Sequence, residues 1–61
     1  MKLLSSVSSK VKALNNRAFC YAKLEKFSDA IQDYSEVIEI DQHNVHAYHN
    51  RGISYERQGN F

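Results

Sequence analysis

Apolar side chains recur along most of this chain at the three- and four-residue spacing of an amphipathic α-helix. Leu14, Ala18 and Tyr21 follow one another at this spacing, and Tyr48 and Tyr55 repeat it later in the chain. The stretch between these two segments has an apolar stripe of its own, formed by Phe27, Ala30, Ile31, Tyr34, Val37, Ile38 and Ile40. The pattern therefore predicts helices throughout and gives no sign of a strand.

The spacing predicts an all-α fold of three helices, at residues 11–24, 28–41 and 45–58, joined by short turns. Ser28 is a natural N-cap for the second helix, because its hydroxyl can accept from a free backbone N–H of the first turn. Residues 1–10 are rich in serine, and we interpret them as a flexible N-terminal extension.

The first and third predicted helices are similar in sequence. VKALNNRAFCYAKLEKF, which starts at Val11, aligns without a gap on VHAYHNRGISYERQGNF, which starts at Val45, so the offset is 34 residues. Six of the 17 aligned pairs are identical: Val11/Val45, Ala13/Ala47, Asn16/Asn50, Arg17/Arg51, Tyr21/Tyr55 and Phe27/Phe61. Self-similarity at a fixed period is the signature of a repeat architecture.

A helix-turn-helix unit with a 34-residue period resembles the tetratricopeptide repeat. The family's alternation of large, small and aromatic positions is matched by Leu14, Ala18, Tyr21, Ala30 and Tyr34. The resemblance implies a complete repeat at residues 11–44 and the first helix of a second, truncated repeat at residues 45–61. The expected fold is thus a three-helix fragment of an α-α superhelix.

Two positions of the repeat raise structural expectations. Glu25 stands in the turn after the first helix, where Gly59 stands in the next copy, so a left-handed conformation at Glu25 is expected to be strained. Phe61 is the counterpart of Phe27, which places it in the inner turn of a second hairpin. We therefore expect an uncovered apolar face on the third helix and, as an alternative function, self-association into a homo-oligomer through that face.

Composition narrows the classes of protein to consider. The chain has 61 residues and a formal net charge of +1, which disfavours a nucleic-acid binder that works by neutralising phosphates. No apolar run approaches the length that spans a bilayer, so we predict no membrane segment. Cys20 is the only cysteine and fits a reducing, intracellular and cytoplasmic setting.

No motif for catalysis or cofactor binding is found in the sequence. Neither glycine lies in a phosphate-binding loop, and Cys20 is interpreted as a small residue on a packed helix. His43, His46 and His49 follow at three-residue spacing, which allows zinc binding as an alternative, but such a site needs further ligands. We predict no enzyme, no cofactor and no metal site.

Charge is sorted between the predicted helices. Residues 10–27 carry five basic residues and one acidic residue, whereas residues 28–42 carry five acidic residues and no basic residue. Attraction between adjacent helices explains this, and so does a polarised surface that steers an acidic ligand. Arg17 and Arg51 recur at one repeat position, and we expect their stems to lie along a neighbouring helix while the guanidinium groups reach water.

The resemblance implies a non-catalytic protein-interaction module, an adaptor or scaffold, whose first helices line a groove for a partner protein or peptide, with an acidic ligand as a candidate. A narrower alternative is the carboxylate clamp of chaperone-docking repeats, with Asn16 at its asparagine position but with His46 and Asn50 where lysine and arginine are needed. The groove positions carried over from the family are Lys12, Asn15, Asn16, Phe19, Lys23, His46, His49, Asn50, Ile53 and Arg57.

Overall fold

Three helices form the chain, in the order α1 (Lys2–Lys23), α2 (Phe27–Ile40) and α3 (Val45–Gln58). The computed structural model describes residues 2–59, and the side chains of residues 6–59. The described residues contain no strand, so the predicted all-α fold of three helices is confirmed. The interpretation of Phe61 lies outside the described residues.

The first helix is longer than the sequence pattern predicted. It begins at Lys2, so the predicted start at residue 11 was wrong, and residues 2–10 are helical. The serine-rich segment contains no glycine or proline, and Val7 continues the spacing of Val11 and Leu14 by one turn. Serine disfavours a helix only slightly, so the periodic apolar positions outweigh it. The flexibility assigned to this segment stays a prediction.

The turn between α1 and α2 closes the first helix with a Schellman motif. The backbone N–H of Lys26 donates to the Tyr21 carbonyl at 2.8 Å, and that of Glu25 donates to the Ala22 carbonyl at 3.0 Å. This arrangement requires a left-handed residue after the helix, and Glu25 has φ of 62°. Gly59 takes the same role after α3, with φ of 88°. Glu25 thus adopts the left-handed conformation for which strain was expected.

Glu25→Gly is expected to stabilise the protein by about 1 kcal/mol, because glycine adopts the left-handed region without a Cβ clash. Chemical denaturation followed by circular dichroism measures the change. Glu25→Ala is the matched control, because it removes the charge and keeps the Cβ. Equal stabilisation by the two variants would show that the charge of Glu25, and not its backbone strain, sets the cost.

The second helix starts without the cap that the sequence suggested. Its N-cap position is Lys26, which makes no side-chain capping bond, and Ser28 lies inside the helix. Ser28 Oγ instead accepts from Gln58 Nε2 at 2.7 Å and so joins α2 to α3. The predicted role of Ser28 was therefore wrong, because the Schellman turn brings the helix start forward to Phe27.

Asn44 caps the start of α3. Its side-chain oxygen accepts from the backbone N–H of Ala47 at 3.0 Å. The preceding Asp41 holds the turn through its carboxylate, which accepts from the backbone N–H of His43 at 3.1 Å and from Asn44 Nδ2 at 3.3 Å. Two polar side chains thus fix the angle at which the chain leaves α2.

The core lies on both sides of α2, which packs against α1 and against α3, while α1 and α3 contact each other little. Burying apolar surface on two faces of one helix is what holds so short a chain together. The buried apolar residues are Val11, Leu14, Ala18, Ala30, Tyr34, Val37 and Ala47.

Although α1 and α3 are equivalent in sequence, they bury different faces. On α1 the buried residues include Leu14 and Ala18, whereas on α3 they are Ala47 and Ser54. The counterparts of Leu14 and Ala18 on α3, Tyr48 and Gly52, are exposed, and so are the counterparts of Ala47 and Ser54 on α1, Ala13 and Cys20. The reason is the order of the helices along the chain. α1 packs against the helix that follows it, whereas α3 packs against the helix that precedes it, and in both cases this helix is α2.

Candidate peptide-binding groove

An ion pair sets the position of α1 on α2. Arg17 Nε donates to Asp33 Oδ2 at 2.7 Å, and Arg17 Nη2 donates to Asp33 Oδ1 at 2.9 Å. The Asp33 side chain is 6% exposed, whereas that of Arg17 is 59% exposed. The hydrogen bonds and charge of Asp33 raise the pKa of the Arg17 guanidinium above its usual value. From the sequence we expected this guanidinium to reach water, but not that it would pair with a carboxylate.

The charge sorting between helices is also expressed in a second ion pair, in which Lys10 Nζ lies 3.5 Å from Glu36 Oε2. Both of its side chains are largely exposed, so this pair contributes little stability on its own. Together the two pairs show attraction between the basic α1 and the acidic α2. This is one of the two explanations that the sequence allowed, and the steering of an acidic ligand stays a prediction.

A groove of about 410 Å³ opens between the C-terminal halves of α1 and α3, with α2 between them. It will be called the C-terminal groove. Aligned repeat positions meet in it, since Phe19 corresponds to Ile53 and Lys23 corresponds to Arg57. The lining residues are Phe19, Ala22, Lys23, Glu25, Phe27, Tyr34, Asn50, Ile53, Ser54 and Arg57. Five of the ten predicted site residues are thus brought together.

The C-terminal groove combines apolar and basic surface. The Phe19 ring is half-exposed, and Lys23 Nζ lies 5.2 Å from its centroid, within the range of a cation–π contact. Tyr34 of α2 also lines the groove. Burial raises the pKa of its hydroxyl. The lining contains two cationic side chains, Lys23 and Arg57, and one carboxylate, Glu25, so it is net basic.

A second depression, of about 520 Å³, lies towards the N-terminal halves of the same helices. It will be called the N-terminal groove, and it contains three more predicted residues, Lys12, Asn15 and His46. Asn15 Oδ1 is buried and accepts no hydrogen bond from the residues that the structure describes. An acceptor without a donor is costly, so this oxygen is suited to a donor supplied by a ligand.

Asn16 and His49 lie in neither groove. Both are exposed, and Asn16 shares a face of α1 with Ala13 and Cys20, pointing away from α2. Its counterpart Asn50 does line the C-terminal groove, because α3 is rotated relative to α1 in the way its buried residues show. The structure therefore separates two aligned residues that the repeat register treats as the same.

Chemistry of other kinds has little support in the described part of the chain. Among residues 6–59 no group of three or more histidine, cysteine or acidic side chains stands close enough together to hold a metal ion. Cys20 is exposed, so the interpretation of this residue as packed was wrong: it lies on the α1 face opposite α2. Of the three described helices, none has the length and apolar character needed to cross a membrane.

Comparison with known proteins agrees with the helical repeat. The family model of the tetratricopeptide repeat matches residues 11–44. A human protein, sperm-associated antigen 1, is 35% identical over 46 residues, which cover 75% of this chain and 5% of that protein. No solved structure matches significantly. The repeat match covers more than half of the chain, which therefore belongs to the tetratricopeptide repeat family, whose helical repeats generally serve as non-enzymatic scaffolds for protein–protein interaction.

Proposed function

We propose that this chain binds a partner peptide in the C-terminal groove, with an apolar side chain against Phe19 and Ile53 and an acidic side chain between Lys23 and Arg57. The observation that carries the proposal is the meeting of these four residues, two aligned pairs of the repeat, around one cavity of about 410 Å³. This volume lies within the usual range of ligand pockets, about 300–1,000 Å³.

The apolar part of the groove supplies affinity. Phe19 is exposed in the free protein, and Ile53 is half-buried beside it. Covering an aromatic ring with a leucine or phenylalanine of the ligand removes apolar surface from water, which is favourable by about 25 cal/mol per Å². The peptide is therefore expected to place a large apolar side chain here.

The basic part of the groove supports selectivity for an acidic ligand. On α2, Asp33 and Glu36 are paired with basic residues of α1, and neither carboxylate lines the groove. Lys23 and Arg57 have no carboxylate partner among the described residues, although Glu25 lies in the same lining. A carboxylate placed between two cations gains from both, and this attraction weakens with salt.

The carboxylate clamp is the weaker alternative. His46 and Asn50 stand where that clamp needs lysine and arginine, and Asn16 lies outside both grooves. The cations instead occur about two helical turns or more further along, at Lys23 and Arg57. This arrangement favours an acidic side chain within a peptide over the terminal carboxylate that a clamp holds.

A titration by fluorescence polarisation tests the proposal. The probes are a short labelled peptide with one leucine and two glutamates, and the same peptide with glutamines. We expect the glutamate peptide to bind more tightly, and Lys23→Ala and Arg57→Ala each to weaken its binding about fivefold, the effect of one partly exposed ion pair.

Lys26→Ala is the matched control, because Lys26 is basic and exposed but does not line the C-terminal groove. Binding that falls equally in Lys26→Ala would indicate general charge attraction. Equal affinity for both peptides would remove acidic selectivity, and binding unaffected by Phe19→Ala would remove the groove itself.

A further inference from the structure

A third depression, of about 420 Å³, lies at the turn between α1 and α2 and next to the last turn of α3. It will be called the turn depression. Three of its lining residues, Glu25, Phe27 and Arg57, also line the C-terminal groove. The residues that line the turn depression but not that groove are Lys26, Ser28, Asp29 and Gln58. A change of charge in the turn depression therefore acts on Arg57, one of the two cations proposed to bind the acidic peptide.

The hydroxyl of Ser28 lies at the end of α3. Ser28 is exposed, and its Oγ accepts from Gln58 Nε2 at 2.7 Å. Gln58 follows Arg57 directly in α3, and the side chains of Ser28 and Arg57 line the same depression. A group attached to Ser28 Oγ is therefore placed beside the side chain of Arg57.

The other serines whose side chains the structure describes lack this combination of exposure and position. Ser54 is buried, and Ser35 is half-buried and already accepts a hydrogen bond. The serines among residues 6–9 are exposed, but none of them lines the turn depression or the C-terminal groove. Ser28 is thus the described serine that is both accessible and adjacent to the proposed peptide site.

The turn depression is balanced in charge. It contains two cations, Lys26 and Arg57, and two carboxylates, Glu25 and Asp29, and none of the four forms an ion pair with another described residue. A phosphoryl group on a serine adds a charge of about −1.5 to −2 at neutral pH and three acceptor oxygens. The forked donors of an arginine match such oxygens better than an ammonium group does. Arg57 is therefore the expected partner of a phosphate on Ser28.

We propose that Ser28 is a phosphorylation site that regulates the C-terminal groove, because its phosphate pairs with Arg57 and withdraws this cation from the acidic peptide. The inference rests on the proposed function of that groove. Two effects of the phosphate act in the same direction. Pairing leaves Lys23 as the only cation for the acidic side chain, and the added negative charge repels a carboxylate in the adjoining groove.

The modification is a phosphoryl transfer by a protein kinase that uses ATP. Ser28 Oγ forms a bond to the γ-phosphorus while the bond from this phosphorus to the β-phosphate oxygen breaks, so ADP leaves and the hydroxyl proton passes to the base of the kinase. Lys26, two residues before Ser28, suits a kinase that selects basic residues. It also leaves the start of α2 without a side-chain cap, which makes it easier for this turn to open in the kinase.

The test uses the whole chain, synthesised chemically with phosphoserine at Ser28, and the labelled glutamate peptide. We expect fluorescence polarisation to show about tenfold weaker binding than for the unmodified chain, and less than about twofold weaker binding of the glutamine peptide, which has no carboxylate to repel. The matched control is phosphoserine at Ser9, which adds the same charge away from both depressions and is expected to change binding less than about twofold.

Phosphorus NMR tests the pairing with Arg57 without any peptide. An adjacent cation favours the doubly charged phosphate, so the second pKa of phosphoserine, usually about 6, is expected to be lower in the parent chain than in Arg57→Ala. Lys26, Glu25 and Asp29 face the phosphate in both proteins, so the difference reports Arg57. The pairing and the peptide binding of the groove can thus fail independently.

The kinase reaction is tested on the same chain. Incubation with ATP and a serine kinase that selects basic residues, followed by mass spectrometry, is expected to place the phosphoryl group on Ser28. A chain without phosphate at this residue would overturn Ser28 as the site.

Two further results would overturn the proposal. One is the same phosphate pKa in the parent and in Arg57→Ala, because Arg57 is then not the partner. The other is equal affinity of the phosphorylated and unmodified chains for the glutamate peptide. An unmodified chain that does not bind this peptide would refute the proposed function of the groove, and a lower phosphate pKa in the parent would still support the pairing.

Discussion

Tyr34→Ala is expected to abolish the folded state of this chain. Tyr34 is 1% exposed and packs in the core between α2 and its two neighbours. Replacing a buried aromatic residue by alanine costs about 3–5 kcal/mol, and a chain of this size has a total stability of about 3–9 kcal/mol. Far-UV circular dichroism at physiological temperature, about 37 °C, should show that most of the helical signal is lost.

The control for this loss is Tyr55→Ala, the same substitution on α3, where the residue is 39% exposed. Its effect is expected to stay within about 0.5 kcal/mol, the usual range for surface positions. If the two variants melted alike, the core would not depend on Tyr34, and the packing of α2 described above would be wrong.

Tyr34→Phe keeps the ring and tests the hydroxyl. Burial raises the pKa of Tyr34, so the folded state holds its proton more tightly than the unfolded state. The stability that this contributes is fully present below about pH 10, the usual tyrosine pKa, and is lost as the pH rises through the folded value. The phenylalanine variant is therefore expected to lose less stability at alkaline pH than the parent.

Arg17→Ala is the second substitution with a large expected effect. It leaves the Asp33 carboxylate, which is 6% exposed, without its two charged hydrogen bonds. An acceptor buried without a partner is costly, so we expect the melting temperature to fall by about 10 °C. Differential scanning calorimetry measures this fall.

Arg51→Ala is the matched control. Arg51 is also an arginine and has the same repeat position as Arg17, but its hydrogen-bond partner is the neutral Ser35. Its melting temperature is expected to fall by much less. Combining Arg17→Ala with Asp33→Asn should restore part of the loss, because the buried charge is then gone. Strictly additive effects would show that the pair is not coupled.

Local features of the fold were predictable from the sequence because they depend on neighbouring residues. The apolar spacing predicted α3 with its observed bounds and α2 within one residue at each end. The alignment of Glu25 with Gly59 identified the turn position at which the structure has its left-handed residues. The start of α1 was missed because its serines suggested a linker, although helix propensity and apolar spacing favoured a helix.

Contacts between helices were less predictable. The charge sorting signalled attraction between α1 and α2, but the pairing of Arg17 with Asp33 depends on how far one helix slides along the other. The groove prediction met the same limit. Eight of its ten residues line one of the two grooves, whereas Asn16 and His49 do not, because repeat register fixes a position along a helix more securely than the direction its side chain faces.

The different faces that α1 and α3 bury change how sequence variation in such repeats should be interpreted. Ala13 and Ala47 occupy one column of a repeat alignment, yet the first is exposed and the second is completely buried. A column average therefore mixes two environments and underestimates the constraint on Ala47. Tolerance to substitution in this chain depends on which helices flank a residue, and counting from the start of the repeat is not enough to judge it.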